Sequence, residues 1–423
     1  HFATKPVGYG SQRNTARIYF TTTLNSSITG KRVQRVRVKT RGKPEQNLIY
    51  KLPQQDVKTI ETDPLTTGID YQVYREFFTT VRLGDTSFVL TTGTVNEQFI
   101  SNNTNTIVSI SRNLTRPQDD TRIEGTFLTI GNFRPQDNNN RMIFDLVQPI
   151  TDDCTLKIIT AVQVTNAVAK RKIFREGVTI RVSAENAARE VISLGISDGY
   201  KLKSVITASD VDITNNYLFD NGQRDNVYDI ARLVLKPKKP TAPEELIVII
   251  DYFDHTSQGD FFSVNSYTDR DGVSFSDIPT YYPLSGIPNA NTINSSAPFQ
   301  PFELRDCIDF RPIVNTKVEN GSVIAPLVPG VDSQNSHNFR DKSKAGNGFV
   351  PRLPVPDSIF VSNVEYYLPQ WNSLFLEKSG ALSLVAGQPS EEPQTPPDIA
   401  EGIRLYDIYL PSYTFSVKDI KIK

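Results

Sequence analysis

Long apolar runs, histidine, thiols and net charge are all scarce in this chain, and each shortage removes a class of function. No apolar stretch approaches the roughly 20 residues that a membrane-crossing helix needs, so neither a membrane partner nor a secretory leader is expected. Only three histidines occur, His1, His255 and His337, which leaves imidazole acid–base chemistry very few positions. Two cysteines, Cys154 and Cys307, form neither a disulfide framework nor a paired zinc motif, and they read as buried free thiols. The formal net charge of −1 supplies no basic field to attract nucleic acid, so none is expected as a partner. The single methionine is Met142 and the chain opens on His1, which reads as a piece excised or processed from something longer.

Catalytic words are missing too. There is no GxSxG elbow, HExxH, phosphate-binding loop or dinucleotide fingerprint, and the acid pairs Asp152-Asp153 and Glu391-Glu392 are adjacent in loops, where solvation suits them better than catalysis. The chain is read as a non-enzyme without a cofactor. Asp269-Arg270-Asp271-Gly272 opens like a calcium loop but lacks the remaining ligands, so a turn is the better reading. Asp251-Tyr252-Phe253-Asp254-His255 gathers two carboxylates near an imidazole; on a strand Asp254 points away from the other two, which favours a strand-end histidine over a metal or catalytic group.

What the sequence does contain is β pattern. Its 423 residues, 38% hydrophobic, 10% aromatic and 22% charged, suit two to four globular units at roughly 100 to 200 residues each. Runs rich in Val, Ile, Thr, Tyr and Phe recur between Gly, Pro, Asn and Asp, and helical periodicity is nearly absent. The fold expected is all-β: several immunoglobulin-like or related β-sandwich domains in series, with long loops and very little helix. From Tyr71 about six or seven short strands occupy roughly 110 residues, as a sandwich would. Asp137 to Asn140 reads as a hairpin turn, because Asn tolerates positive φ. The expected divisions are a β segment over 1–62, a β-sandwich over 63–182, a second with long loops over 183–330, a linker over 331–350, and a C-terminal β unit over 351–423. The proline-rich GQPSEEPQTPPD inside that last unit reads as an extended connector.

Two polar clusters stand out. Asp220-Asn221-Gly222-Gln223-Arg224-Asp225 places the strongest turn signal in the chain among charges. A type I′ turn at Asn221-Gly222, with Asp220, Arg224 and Asp225 bonding one another or turn amides, makes it a hairpin staple rather than a ligand site. Arg305, Asp306, Asp309 and Arg311 alternate with apolar anchors at Leu304, Ile308 and Phe310; this set is architecture first, and a possible interface second. In Val33 to Lys39, Arg35, Arg37 and Lys39 alternate with valines, which gives either a solvated strand face or a basic strip for an acidic neighbour.

The words DNGQRDNVYDIARLVLKP, IIDYFDHTSQGDFFSVNSY, FSDIPTYY and LRDCIDFRP, with the ending from VEYYLPQWNSLFLEKSG to LPSYTF, resemble a family of virion structural proteins of T-even-like contractile-tailed phages. The resemblance runs from Val178 to about Phe415; before it only the β pattern is similar. The chain departs from the family at Gln370-Trp371, where a basic residue is usual. The resemblance implies a wedge protein of the tail baseplate, located in the virion and assembled in the host cytoplasm. Its implied partners are other baseplate or tail proteins in a hetero-oligomer around a sixfold ring. The rival reading is a receptor- or glycan-binding fibre or adhesin module, using Tyr281, Tyr282, Phe299 and Phe302.

Overall fold

Alternating β-branched and polar residues extend the backbone over most of the chain, and the computed structural model is accordingly all-β, with 55% strand and 7% helix. It describes residues 31–39, 48–61, 71–100, 106–115, 123–255, 259–268, 273, 277–282, 301–314, 318–319, 322–323, 353–356, 358–412, 414 and 417–423. The strands form many small sheets. By contacts the chain divides into two compact units, one of His1–Gln34, Asp56–Lys58 and Glu365–Lys423, the other of Arg35–Gln55 and Thr59–Val364. Among the described residues no helix is long and apolar enough to cross a membrane.

In the larger unit, the strand series from Tyr71 splits between two sheets. Cys154–Val164 is central in the first, hydrogen-bonded to Tyr71–Val81 on one side and to Ile107–Asn113 and Glu97–Phe99 on the other. The second pairs Arg141–Leu146 with Ser87–Thr91 and Ile130–Gln136. Aromatic rings join them: Phe99 of the first sheet stands edge-on to Phe144 of the second at 6.0 Å, and Phe144 stacks on Phe88 at 5.0 Å. The hairpin between Gln136 and Arg141 turns through Asp137, Asn138 and Asn139, all at positive φ, as the Asn-rich sequence predicts.

Six further strands carry the candidate site: β1 (Lys172–Val182), β2 (Val191–Ser197), β3 (Gly199–Thr207), β4 (Tyr217–Asp220), β5 (Ile230–Leu235) and β6 (Leu246–His255). β6 is flanked by β1 and β3, both antiparallel, while β5 lies between β2 and β4 in a separate sheet. The two sheets share one core, in which Ile180, Val205, Leu246, Val248 and Ile250 meet Ile192, Leu194, Ile196 and Leu233. The division expected after residue 182 is not where the chain divides: β1 is hydrogen-bonded to β6 along its length, so it belongs with the strands that follow it.

Along β6 the buried face changes. Leu246, Val248 and Ile250 are buried on one side, then Asp251, Phe253 and His255 on the other. With period-two side chains, a shift of phase means both faces of this strand are covered, each at a different end. The second covered end is where the polar residues gather.

In the smaller unit, Gln370–Glu377 pairs with Leu382–Ala386 and Gly402–Leu410. The proline-rich insert between the last two has neither helix nor strand, as an extended connector would, but it is anchored to its neighbours. Gln370 Nε2 donates to the Gly387 carbonyl at 2.8 Å, Arg404 donates to the Pro396 carbonyl at 2.6 Å, and Pro396 is buried. The expected linker over 331–350, the candidate calcium loop at 269–272, His1 and His337 all lie outside the described residues. Lys31–Lys39 is a strand, as its alternation predicts, but the side chains of Arg35, Arg37 and Lys39 lie outside the described residues as well.

Candidate functional site: a buried charge network

The polar residues at the second end of β6 come from four separate segments. Lys172 opens β1, opposite His255. Asp198 sits in the turn between β2 and β3, at φ 55°. Gln223 and Tyr228 face each other across the loop that joins β4 to β5; Asp309 ends the short strand Cys307–Asp309 and Arg311 follows it. Backbone bonds knit these segments together: the Phe253 N–H donates to the Asp198 carbonyl at 3.0 Å, the Tyr228 N–H to Pro312 at 2.9 Å, and Phe262 and Asp309 exchange both N–H bonds.

The side chains then close a network with almost no access to water. Lys172, Asp198, Tyr228, Asp309 and Arg311 are all at most 3% exposed. Lys172 Nζ donates to Asp198 Oδ2 at 2.6 Å and to the Tyr228 hydroxyl at 3.0 Å. That hydroxyl donates in turn to Asp309 Oδ2 at 2.5 Å. Arg311 donates through Nε and one terminal nitrogen to Asp309, through the same terminal nitrogen to Tyr228 at 2.7 Å, and through the other to the Arg224 carbonyl at 3.0 Å. Gln223 Nε2 donates to Asp198 Oδ1 at 3.1 Å. Rings wall the cations: Lys172 Nζ lies 4.1 Å from the Tyr228 ring centre, 4.7 Å from Phe262 and 4.9 Å from Tyr267, and Arg311 stacks on Tyr228 at 4.0 Å and on Tyr281 at 4.6 Å.

Two cations and two carboxylates balance formally, yet burial acts on them unequally. Burial pulls the Lys172 ammonium below its ordinary pKa despite Asp198 and Asp309, and pushes Asp198 above the usual carboxylate range. For Asp309 burial also pushes upward, but the Arg311 charge and the bonds from Arg311 and Tyr228 outweigh it, and the net direction is down. For Arg311 burial pushes downward, but Asp309, Tyr228 and Tyr267 together outweigh it, and the net direction is up. The Tyr228 and Tyr267 hydroxyls are pushed well up by burial.

Around this network the expected hairpin staple takes a different form. Arg224 grips Asp220 with two bonds of 2.8 and 2.5 Å, and the Gly222 N–H donates to Asp220 Oδ1 at 3.0 Å. The type I′ turn at Asn221-Gly222 is not formed. Gly222 alone has positive φ, 80°, while β4 and β5 are joined by a nine-residue loop that narrows again at Gln223 and Tyr228. The dipeptide instead lets the backbone pass close: a Cβ on Gly222 would lie 2.1 Å from the Asp229 carbonyl oxygen. Asn221 caps the loop, its Oδ1 accepting from the Gln223 N–H. Asp225 does not pair with Arg224; it accepts from the Tyr281 hydroxyl.

The possible interface at Arg305, Asp306, Asp309 and Arg311 is likewise corrected. Asp309 and Arg311 are interior, spent on the network, whereas Arg305 and Asp306 are partly exposed. The three anchors Leu304, Ile308 and Phe310 are buried as expected. His255 ends β6 in the core beside Phe262, 6.1 Å ring to ring, and Cys154 and Cys307 are buried free thiols. Of the aromatic residues considered for a glycan platform, Tyr281 is buried, Phe302 half-buried and Tyr282 60% exposed; Phe299 lies outside the described residues. Among the described residues no group of three or more His, Cys, Asp or Glu side chains is placed to hold a metal ion.

Sequence reasoning missed Lys172, Asp198, Gln223 and Tyr228 as members of one cluster. Lys172 follows Lys170-Arg171 and looks like part of a solvated basic patch, and Asp198-Gly199 looks like an ordinary turn. The only local hint was the density of polar words inside apolar strand pattern. Comparison with known proteins adds nothing here: no family model, no curated protein and no solved structure matches this chain.

Proposed function

We propose that this chain is a structural component of a phage contractile-tail baseplate, a wedge protein that offers docking surfaces to unlike subunits and turns over no substrate. The resemblance of its sequence words to that virion family motivates the reading, and one observation supports it. In the smaller unit Leu382, Leu376 and Ile403 stand in register across three adjacent strands, and all three are exposed, Ile403 to 68%. Tyr406 on the same strand as Ile403 is 49% exposed and Ile422 on the next strand 67%. An apolar row on a sheet face is what a subunit contact uses.

The words that carry the resemblance are, in this chain, the words of the buried network: Asp220 to Asp225, the end of β6 and Leu304 to Pro312. Their side chains are consumed by one another, which suits a scaffold more than a site that must meet a substrate. An adhesin reading would need exposed rings, and of the described residues considered for that role only Tyr282 is largely exposed.

The test is immunogold electron microscopy of particles carrying this protein, with label expected at the tail baseplate. Label along fibres or at their tips, or none on the particle, would reject the proposal. Leu376→Asp together with Ile403→Asp should leave the melting temperature within a few degrees and abolish co-purification with neighbouring tail proteins; retained co-purification would exclude this face.

A further inference from the structure

We propose that Lys172 and Asp198 are a self-processing pair, whose side chains join in an intramolecular amide bond with loss of one water. Three features of the site carry this. First, the amine and the carboxyl are already in contact at 2.6 Å and completely enclosed, so the reacting groups are held together without competing solvent. Second, the walls are aromatic, with the Lys172 nitrogen facing Tyr228, Phe253, Phe262 and Tyr267 within 5.7 Å of each ring centre. In such surroundings the neutral amine and neutral acid, which are the forms that condense, are favoured over the ion pair; burial shifts both groups in that direction.

Third, the remaining network supplies the catalytic parts. Gln223 donates to Asp198 Oδ1, the oxygen that remains as the amide carbonyl, and stabilises the negative charge that develops on it as nitrogen attacks the carboxyl carbon. Oδ2, the oxygen nearer Lys172, is the one that leaves. Tyr228 accepts from Lys172 Nζ and donates to Asp309, so it links the nucleophile to a carboxylate that Arg311 keeps ionised. That chain carries one proton from the attacking nitrogen to Asp309 and returns it to the departing hydroxyl. The balance is closed: R–NH2 and R′–COOH give R–NH–CO–R′ and H2O, the new N–C bond replacing the C–Oδ2 bond, with no change of oxidation state and no outside reagent.

The consequence would be a covalent link between the first residue of β1 and the β2–β3 turn, on strands that flank β6. The test is intact-mass measurement of the full chain, denatured after purification and again after prolonged incubation in the folded state. The proposal expects a mass one water below that of the sequence, and a protease digest containing the Lys172 peptide joined to the Asp198 peptide. A chain that keeps its full sequence mass after incubation overturns it. Lys172→Arg, which retains the charge but cannot condense, is expected to show full mass; a one-water deficit persisting in that variant would place the dehydration elsewhere and overturn the assignment. Because the wild-type reading requires no variant to fold, the result stands even if the variant is insoluble.

Discussion

Arg311 meets its acceptors with a planar fork: the Asp309 carboxylate, the Tyr228 hydroxyl and the Arg224 carbonyl lie around it in directions a single ammonium cannot satisfy together. Removing it strands Asp309 in the interior. Arg311→Met should therefore cost about 3 to 5 kcal/mol, and Arg311→Lys most of that, read from urea midpoints. A lysine variant as stable as the parent would mean that charge alone matters there and geometry does not. Asp309 and Asp220 are both held below their ordinary pKa, the first by Arg311 against its burial, the second by Arg224 and the Gly222 N–H against its burial. A carboxyl lowered in the fold stabilises in full above its unfolded value of about 4, and that contribution is lost as pH falls through the lower folded value. Stability should accordingly fall on acidification below about pH 4, and the Asp220→Asn variant, which no longer has that carboxylate to protonate, should fall less steeply. Parallel urea-midpoint curves for the two chains would refute the role given to Asp220.

At the scale of the element, backbone conformation decides which Asn-rich words become tight turns. Asp137 to Asn139 uses three consecutive residues at φ between 50° and 68°, which short polar side chains tolerate better than branched ones. Asn139→Val should lower the thermal midpoint by the equivalent of about 1 to 2 kcal/mol, whereas Asn139→Gly should be neutral or slightly stabilising. Equal behaviour of the two variants would show that the turn is not what positions Arg141–Leu146. At Asn221-Gly222 the same kind of signal misleads. The dipeptide would serve a two-residue hairpin, but register pairs Asp220 with Arg232, and the nine loop residues between β4 and β5 are wanted for their side chains: Gln223 and Tyr228 must reach Asp198, Lys172 and Asp309. A tight turn would have left that network incomplete.

Across the whole molecule, near-balanced charge sets the solution behaviour. With a formal net charge of −1 and an isoelectric point near 6.4, the protein should be least soluble close to that pH and should not be retained on a DNA column at about 0.15 M salt. Retention there would reveal a local basic surface that overall composition conceals. The apolar row at Leu376, Leu382 and Ile403 works in the same direction, because a nearly neutral particle with an exposed apolar face associates readily with copies of itself.

The all-β class, the strand at Lys31–Lys39, the Asn-rich turn and the buried anchors Leu304, Ile308 and Phe310 were all fixed by local pattern, since period-two alternation and positive-φ tolerance are properties of neighbouring residues. The charge network was not. Lys172, Asp198, Gln223, Tyr228, Asp309 and Arg311 are spread over four segments, and each looks in isolation like a surface charge, a turn or a strand end. Only the pairing of β1 with β6, and the change of buried face along β6, bring them together away from water. Burial is decided by what other segments cover, and that belongs to the tertiary structure alone.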